Sequence, residues 1–153
     1  MTLNDSTGEF RTPLVLVVDD DIRIVSLLRA FLESFDCESV EASNGVDALK
    51  LAAARLPQLI LLDIVMPAMD GIETLRRLKR DSATKDIPVL MLTGQQETAN
   101  IETTFDLGAV NYMLKPVTYD QFVSTIAETQ TASGYPLRLN TTSTEGEQGE
   151  ATA

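Results

Sequence analysis

Basic side chains are scarce in this chain, cysteine is nearly absent, and no apolar run is long. Lys and Arg together number 12 against 23 Asp and Glu, a formal net charge of −11. A surface of that sign repels a nucleic-acid backbone, so direct binding to DNA or RNA is not expected. The acid excess runs through the body of the sequence and is not confined to one end. The one basic cluster, Arg76, Arg77, Lys79 and Arg80, would spread around a helix and reads as a solvated helix end. A lone Cys37 excludes an intrachain disulfide and suits a reducing cytoplasm, where it is expected to be a buried, inert thiol. Apolar runs such as Leu14 to Val18 fall far short of the ~20 residues a membrane helix needs. Residues 1–12 show no basic stretch followed by an apolar one, so no secretory signal is visible. These absences point to a cytoplasmic protein without membrane association.

What remains is ordinary in amount and regular in pattern. With 153 residues, 44% hydrophobic and 23% charged, the chain suits one globular domain. Short apolar runs at 14–18, 38–42, 59–62, 89–92 and 110–114 alternate with helical patterns, the signature of a parallel α/β sheet. Ile24, Leu27, Leu28, Phe31, Leu32 and Phe35 recur at helical spacing. Val46, Leu49 and Ala53 mark a second helix after Asn44-Gly45, and Ile72, Leu75 and Leu78 a third, entered through Asp70-Gly71. A fourth, near 96–107, is poor in helix formers, with Gly108 as its stop. Phe122, Val123, Ile126 and Ala127 give a fifth.

The runs at 14–18, 59–62 and 89–92 are apolar throughout, as strands covered on both faces should be. Those at 38–42 and 110–114 are interrupted by Glu38, Ser39, Glu41 and Asn111, which suits sheet edges. The pattern fits a flavodoxin-like, doubly wound (βα)5 fold with a five-stranded parallel sheet in the order 2-1-3-4-5. The expected organisation is a flexible arm over residues 1–12, one domain over 13–128, and a polar, acidic tail or linker over 129–153. The tail is expected to be disordered, since residues 140–153 offer only alanine as apolar content.

In such a sheet, ligands bind beyond the carboxyl ends of the strands. Asp19, Asp20 and Asp21 follow the first run, Asp63 the third, Thr93 the fourth and Lys115 the fifth, so position alone gathers them on one rim. Clustered carboxylates repel one another unless a cation compensates them. Mg²⁺ suits such a partial oxygen site shared with a phosphate, and an ionised Asp is a competent nucleophile toward phosphorus. Lys115 adds a positive charge and Thr93 a hydroxyl donor, both able to offset charge on a transferring group.

Four ordered motifs make a resemblance specific: Val17-Val18-Asp19-Asp20-Asp21; Leu61-Leu62-Asp63-Ile64-Val65-Met66-Pro67 with Asp70-Gly71; Met91-Leu92-Thr93-Gly94; and Tyr112-Met113-Leu114-Lys115-Pro116. Over about residues 13–128 the chain resembles the receiver domains of response regulators in two-component signal transduction. The resemblance implies a phosphorelay module, not an enzyme, that takes a phosphoryl group on Asp63 from a sensor histidine kinase or histidine phosphotransfer protein. It implies Mg²⁺ held by Asp19, Asp20, Asp63 and the Val65 backbone carbonyl. Thr93 and Lys115 would sense the phosphoryl group, and Tyr112 would be the aromatic that packs inward on switching. Gly94 would keep the phosphate accessible, and the Lys115-Pro116 bond is expected to be cis. Asp21 reads better as a helix cap than as a ligand, and Pro67 and Gly71 as shapers of the loop. Val65 and Gln95 lie two residues beyond Asp63 and Thr93, flanking the path of attacking water. An apolar Val65 offers that water no hydrogen bond, so slow to moderate self-dephosphorylation is expected.

No helix-turn-helix or catalytic block follows the fifth helix, so the expected output is an interaction surface of helix 4, strand 5 and helix 5, read by a downstream protein. The alternative is a receiver cut from a larger regulator whose output domain lies elsewhere. A distant alternative is a haloacid-dehalogenase-like phosphatase, with Asp19 as nucleophile, Asp21, Thr93 and Lys115. That class needs a further acidic pair after the lysine, and only Asp120 lies near.

Overall fold

Five parallel strands form the centre of the computed structural model, which describes residues 3–4 and 10–140, with side chains from residue 12 onward. They are β1 (Leu14–Val18), β2 (Glu38–Ala42), β3 (Leu59–Asp63), β4 (Val89–Thr93) and β5 (Asn111–Leu114), in the spatial order β2-β1-β3-β4-β5. This is the order 2-1-3-4-5 expected from the apolar pattern. The three central strands are almost wholly buried, and β2 and β5 are the half-exposed edges.

Because side chains alternate across a strand, each central run feeds two cores at once. Val15, Val17, Leu59, Leu61, Leu90 and Leu92 face one layer, formed by α1 (Ile22–Leu32) and α5 (Tyr119–Glu128). Leu16, Val18, Ile60, Leu62, Val89 and Met91 face the other, formed by α2 (Gly45–Arg55) and α3 (Gly71–Arg80). The helices meet them with stripes of matching period: Val25, Leu28 and Leu32 from α1, Leu75 and Leu78 from α3. The weak fourth helix is indeed broken. A 3₁₀ stretch, Gln95–Asn100, precedes a short α4, Ile101–Asp106, and Gly108 at φ 110° ends it.

The basic cluster on α3 is only partly solvated. Arg76 and Arg77 both pair with Glu73. Lys79 turns inward and donates to the Lys85 and Ile87 carbonyls at 3.0 and 2.7 Å. Cys37 is half-buried, and burial, with Asp36 and Glu38 beside it, pushes its thiol up to about 12, so it is inert as expected.

One expectation needs correction. Residues 129–140 do not hang free; they run as a strap along the amino ends of the strands. Ala132 N donates to Gln58 O at 2.9 Å, Asp36 N to Arg138 O at 2.7 Å, and Asn140 N to Ser34 O at 2.7 Å. Leu137 is 6% exposed and joins the α1/α5 core. The folded unit therefore extends at least to Asn140. At the other end, Leu3–Asn4 pairs antiparallel with Phe10–Arg11. Residues 1–2, 5–9 and 141–153 lie outside the described residues. Among the described residues, no helix is long and apolar enough to cross a membrane.

Candidate functional site

At the carboxyl ends of β1 and β3, adjacent strands in the sheet, two buried aspartates face one lysine. Asp19 leaves β1 at 1% exposure and Asp63 ends β3 at 4%. Lys115, just past β5, reaches back across the rim: its Nζ lies 2.7 Å from Asp19 Oδ2 and 3.0 Å from Asp63 Oδ1. Asp20 is exposed, yet ligand oxygens of Asp19, Asp20 and Asp63 all lie within 4.8 Å of one another. Residues separated by up to 96 positions are thus joined by strand register alone.

The electrostatics follow from that crowding. Burial, then the Asp19 charge, pushes the Asp63 carboxyl up to about 6, against the opposing pull of Lys115 and the Val65 amide. Burial by itself would lower the Lys115 ammonium, but its hydrogen bonds to Asp19 and Asp63 outweigh this and hold it above its ordinary range. A hard divalent cation fits the donor set: three carboxylates, oxygen only, one of them open to water.

The surrounding backbone is shaped for access. Asp21 Oδ1 accepts from Arg23 N at 2.9 Å, so it caps α1 as expected and is not part of the cluster. Asp70 caps α3 in the same way through Glu73 N. The start of α3 presses on the end of β3: Gly71 N donates to Ile64 O at 2.7 Å, and a Cβ at Gly71 would stand 2.0 Å from Asp63 O. Only glycine allows that approach, and it fixes the loop bearing Val65, which is 55% exposed. The Lys115-Pro116 bond is cis, as expected.

Two expected switch residues stand apart from the cluster. Thr93 is fully buried, and its hydroxyl donates to Gly94 O at 3.1 Å, with no bond to Lys115 or Asp63. Tyr112 points outward at 40% exposure and packs edge-on against Phe105, centroids 6.1 Å apart. One residue near the site was not singled out from the sequence: Glu97, whose Oε1 accepts from Gly94 N at 3.1 Å. The signal for it was present in the spacing Gly94-x-x-Glu97 at the start of a helical segment, the offset of a capping box.

Known proteins carry the same plan. Residues 15–127 match the family described as response regulator receiver domain. The chain belongs to that family. The phosphate regulon transcriptional regulatory protein PhoB of Pseudomonas aeruginosa is 40% identical over 110 residues, covering 72% of this chain and 48% of that protein. The transcriptional regulatory protein ResD of Bacillus subtilis is 41% identical over 112 residues, 73% of this chain and 44% of that protein. The chain thus spans about half the length of the curated relatives it matches. Among solved structures, the N-terminal domain of a response regulator receiver protein from Methanoculleus marisnigri is 40% identical with a TM-score of 0.63, covering 76% of this chain and 94% of that one. The chemotaxis protein CheY4 of Vibrio cholerae is 28% identical with a TM-score of 0.71, covering 76% and 98%. Receiver domains are signalling modules that act as phosphoacceptors in two-component systems, and family membership sets the phosphatase alternative aside. The cap role of Asp21 agrees, since a phosphatase of that class would have needed it in the reaction.

Proposed function

We propose that this receiver takes its phosphoryl group on Asp63, from a sensor histidine kinase or a histidine phosphotransfer protein, with Mg²⁺ held by Asp19, Asp20, Asp63 and the Val65 carbonyl. The observation that carries this reading is Lys115 Nζ bridging Asp19 and Asp63 at 2.7 and 3.0 Å, with Asp20 in the same carboxylate cluster. The 153 residues include no histidine, so a phosphohistidine donor has to come from a partner or another segment. When bound, the cation would draw charge from the transferring group and relieve the repulsion among the carboxylates. An Asp63 oxygen attacks phosphorus, an O–P bond forms, the P–N bond to the donor breaks, and the imidazole leaves. Lys115 then shares its charge with a phosphoryl oxygen. The Thr93 hydroxyl turns from Gly94 O toward the phosphate, and Tyr112 follows inward. The phosphorylated state so favoured is read on the face of α4, β5 and α5.

Incubating the protein with acetyl phosphate and Mg²⁺ and weighing it by intact mass tests the assignment. Wild type should gain one phosphoryl group, while Asp63→Asn should gain none and keep its circular dichroism spectrum. Labelling of Asp63→Asn at the wild-type rate would refute it.

A second reading concerns the output. PhoB and ResD are transcriptional regulatory proteins about twice as long, which favours this receiver controlling a DNA-contacting segment beyond these residues. The charge of −11 makes the receiver itself a poor DNA ligand. Comparing DNA binding by these 153 residues and by the product of the complete reading frame separates the two outputs.

A further inference from the structure

Glu97 has a clear place in this geometry. Strand register tells which way each backbone group at the end of β4 points. Ile64 N donates to Leu92 O at 3.1 Å, so Leu92 addresses β3. Lys115 N donates to Thr93 O at 2.7 Å, so Thr93 addresses β5. Gly94 keeps an extended backbone, φ −82° and ψ 169°, so the alternation continues and its N–H faces the β3 side, where Asp63 ends its strand. That N–H is a donor suited to a phosphoryl oxygen on Asp63, and it is already taken. Glu97 Oε1 accepts from it at 3.1 Å, while Glu97 N donates to Gly94 O at the same distance. Glycine makes room for this contact: a Cβ at residue 94 would meet Glu97 Oε1 at 2.7 Å.

We infer that Glu97 is a built-in competitor for the phosphoryl group, a carboxylate that occupies the Gly94 amide until phosphate displaces it. The inference rests on Asp63 as phosphoacceptor. A phosphoryl group carries a charge of about −1.5 to −2 and three acceptor oxygens, so it both repels the Glu97 carboxylate and replaces its hydrogen bond. Displacement frees the first turn of the 3₁₀ stretch Gln95–Asn100, which leads directly into α4. Glu97 is therefore a positioning residue that couples events at Asp63 to the segment carrying Phe105, the ring against Tyr112.

The test uses the full 153-residue chain as wild type, Glu97→Ala, Glu97→Gln and Asp63→Asn, with acetyl phosphate and Mg²⁺. Removing one hydrogen bond between an ionised acceptor and a backbone amide should raise the rate of phosphorylation about 3- to 10-fold in Glu97→Ala. Glu97→Gln keeps an acceptor oxygen and loses the charge, so it should fall between Glu97→Ala and wild type. In unphosphorylated Glu97→Ala, the amide signals of Gly94 and residues 95–100 should move toward their positions in phosphorylated wild type, a readout that simple destabilisation does not produce. A Glu97→Ala rate within about twofold of wild type, a Glu97→Gln rate no higher than wild type, or amide shifts in unrelated directions, would overturn the inference. If Glu97→Ala proves poorly folded, Glu97→Gln decides by the same two measures. Phosphorylation surviving in Asp63→Asn would instead remove the underlying assignment.

Discussion

Asp63 is held in a state that suits chemistry better than stability. Burial, then the Asp19 charge, pushes its carboxyl up to about 6 from an ordinary value of 3.8. The folded protein therefore binds this proton more tightly than the unfolded chain does. The sign follows: the contribution of Asp63 to stability is greatest below about pH 4 and declines as pH rises to about 6. At neutral pH, without a divalent cation, the ionised carboxylate costs the fold on the order of 1–3 kcal/mol. Asp63→Asn should recover much of that, because Lys115 keeps its 2.7 Å bond to Asp19 and is not orphaned. Urea unfolding in EDTA should show the variant more stable than wild type at pH 7 and nearly equal to it at pH 4. Mg²⁺ should close the gap at pH 7 by stabilising wild type alone. A variant no more stable than wild type at pH 7 would contradict this account. The residues themselves were legible in advance because strand ends in a doubly wound sheet converge by topology, so Asp19, Asp63 and Lys115 needed only their positions. The orientations of Thr93 and Tyr112 were not legible, since the turn of a hydroxyl or a ring depends on local partners such as Gly94 O and Phe105.

The strands were readable because their apolar content tracks their exposure, continuous for β1, β3 and β4 and broken by Glu38, Glu41 and Asn111 at the edges. The strap at 129–140 was not. Its composition resembles a linker, and its one buried apolar side chain, Leu137, stands among exposed neighbours and makes no periodic pattern. Most of its hold is backbone hydrogen bonding to Gln58, Asp36 and Ser34, which leaves no mark on side-chain pattern. Leu137, buried among the α1 and α5 side chains, is its apolar anchor. Leu137→Ala should destabilise the protein by about 2–3 kcal/mol, seen as a lower urea midpoint with a nearly unchanged slope. The rate of phosphorylation should stay at the wild-type value, since the strap lies at the amino ends of the strands and the site at the carboxyl ends. A loss below about 0.5 kcal/mol, the usual size for a surface position, would show the strap to be loosely attached.

On the scale of the whole molecule, the lifetime of the phosphorylated state decides what kind of signal the receiver carries. Hydrolysis needs a water in line with the Asp63–phosphate bond, and the groups flanking that approach determine how well the water is held. Val65 stands on the loop after Asp63, 55% exposed, with no polar atom in its side chain. Gln95 is exposed at the start of the 3₁₀ stretch, with an amide side chain able to hydrogen-bond water. An apolar group at the first of these positions leaves the water without a fixed partner there, so the acyl phosphate should decay slowly to moderately, over minutes or longer rather than seconds. A long-lived state suits a receiver read, as proposed, on the α4, β5 and α5 face, where Phe105 and Tyr112 lie open. Val65→Asn supplies the missing hydrogen-bonding group without touching Asp63, Lys115 or the Gly71 contact that fixes the loop. It should shorten the phosphoryl half-life by about tenfold, less than the ~10²-fold of a group that takes the proton itself, because Asn only orients the water; intact mass after removal of acetyl phosphate reads it. A wild-type half-life of a second or less, unaltered by Val65→Asn, would mean that water reaches the phosphate by a route that this side chain does not guard.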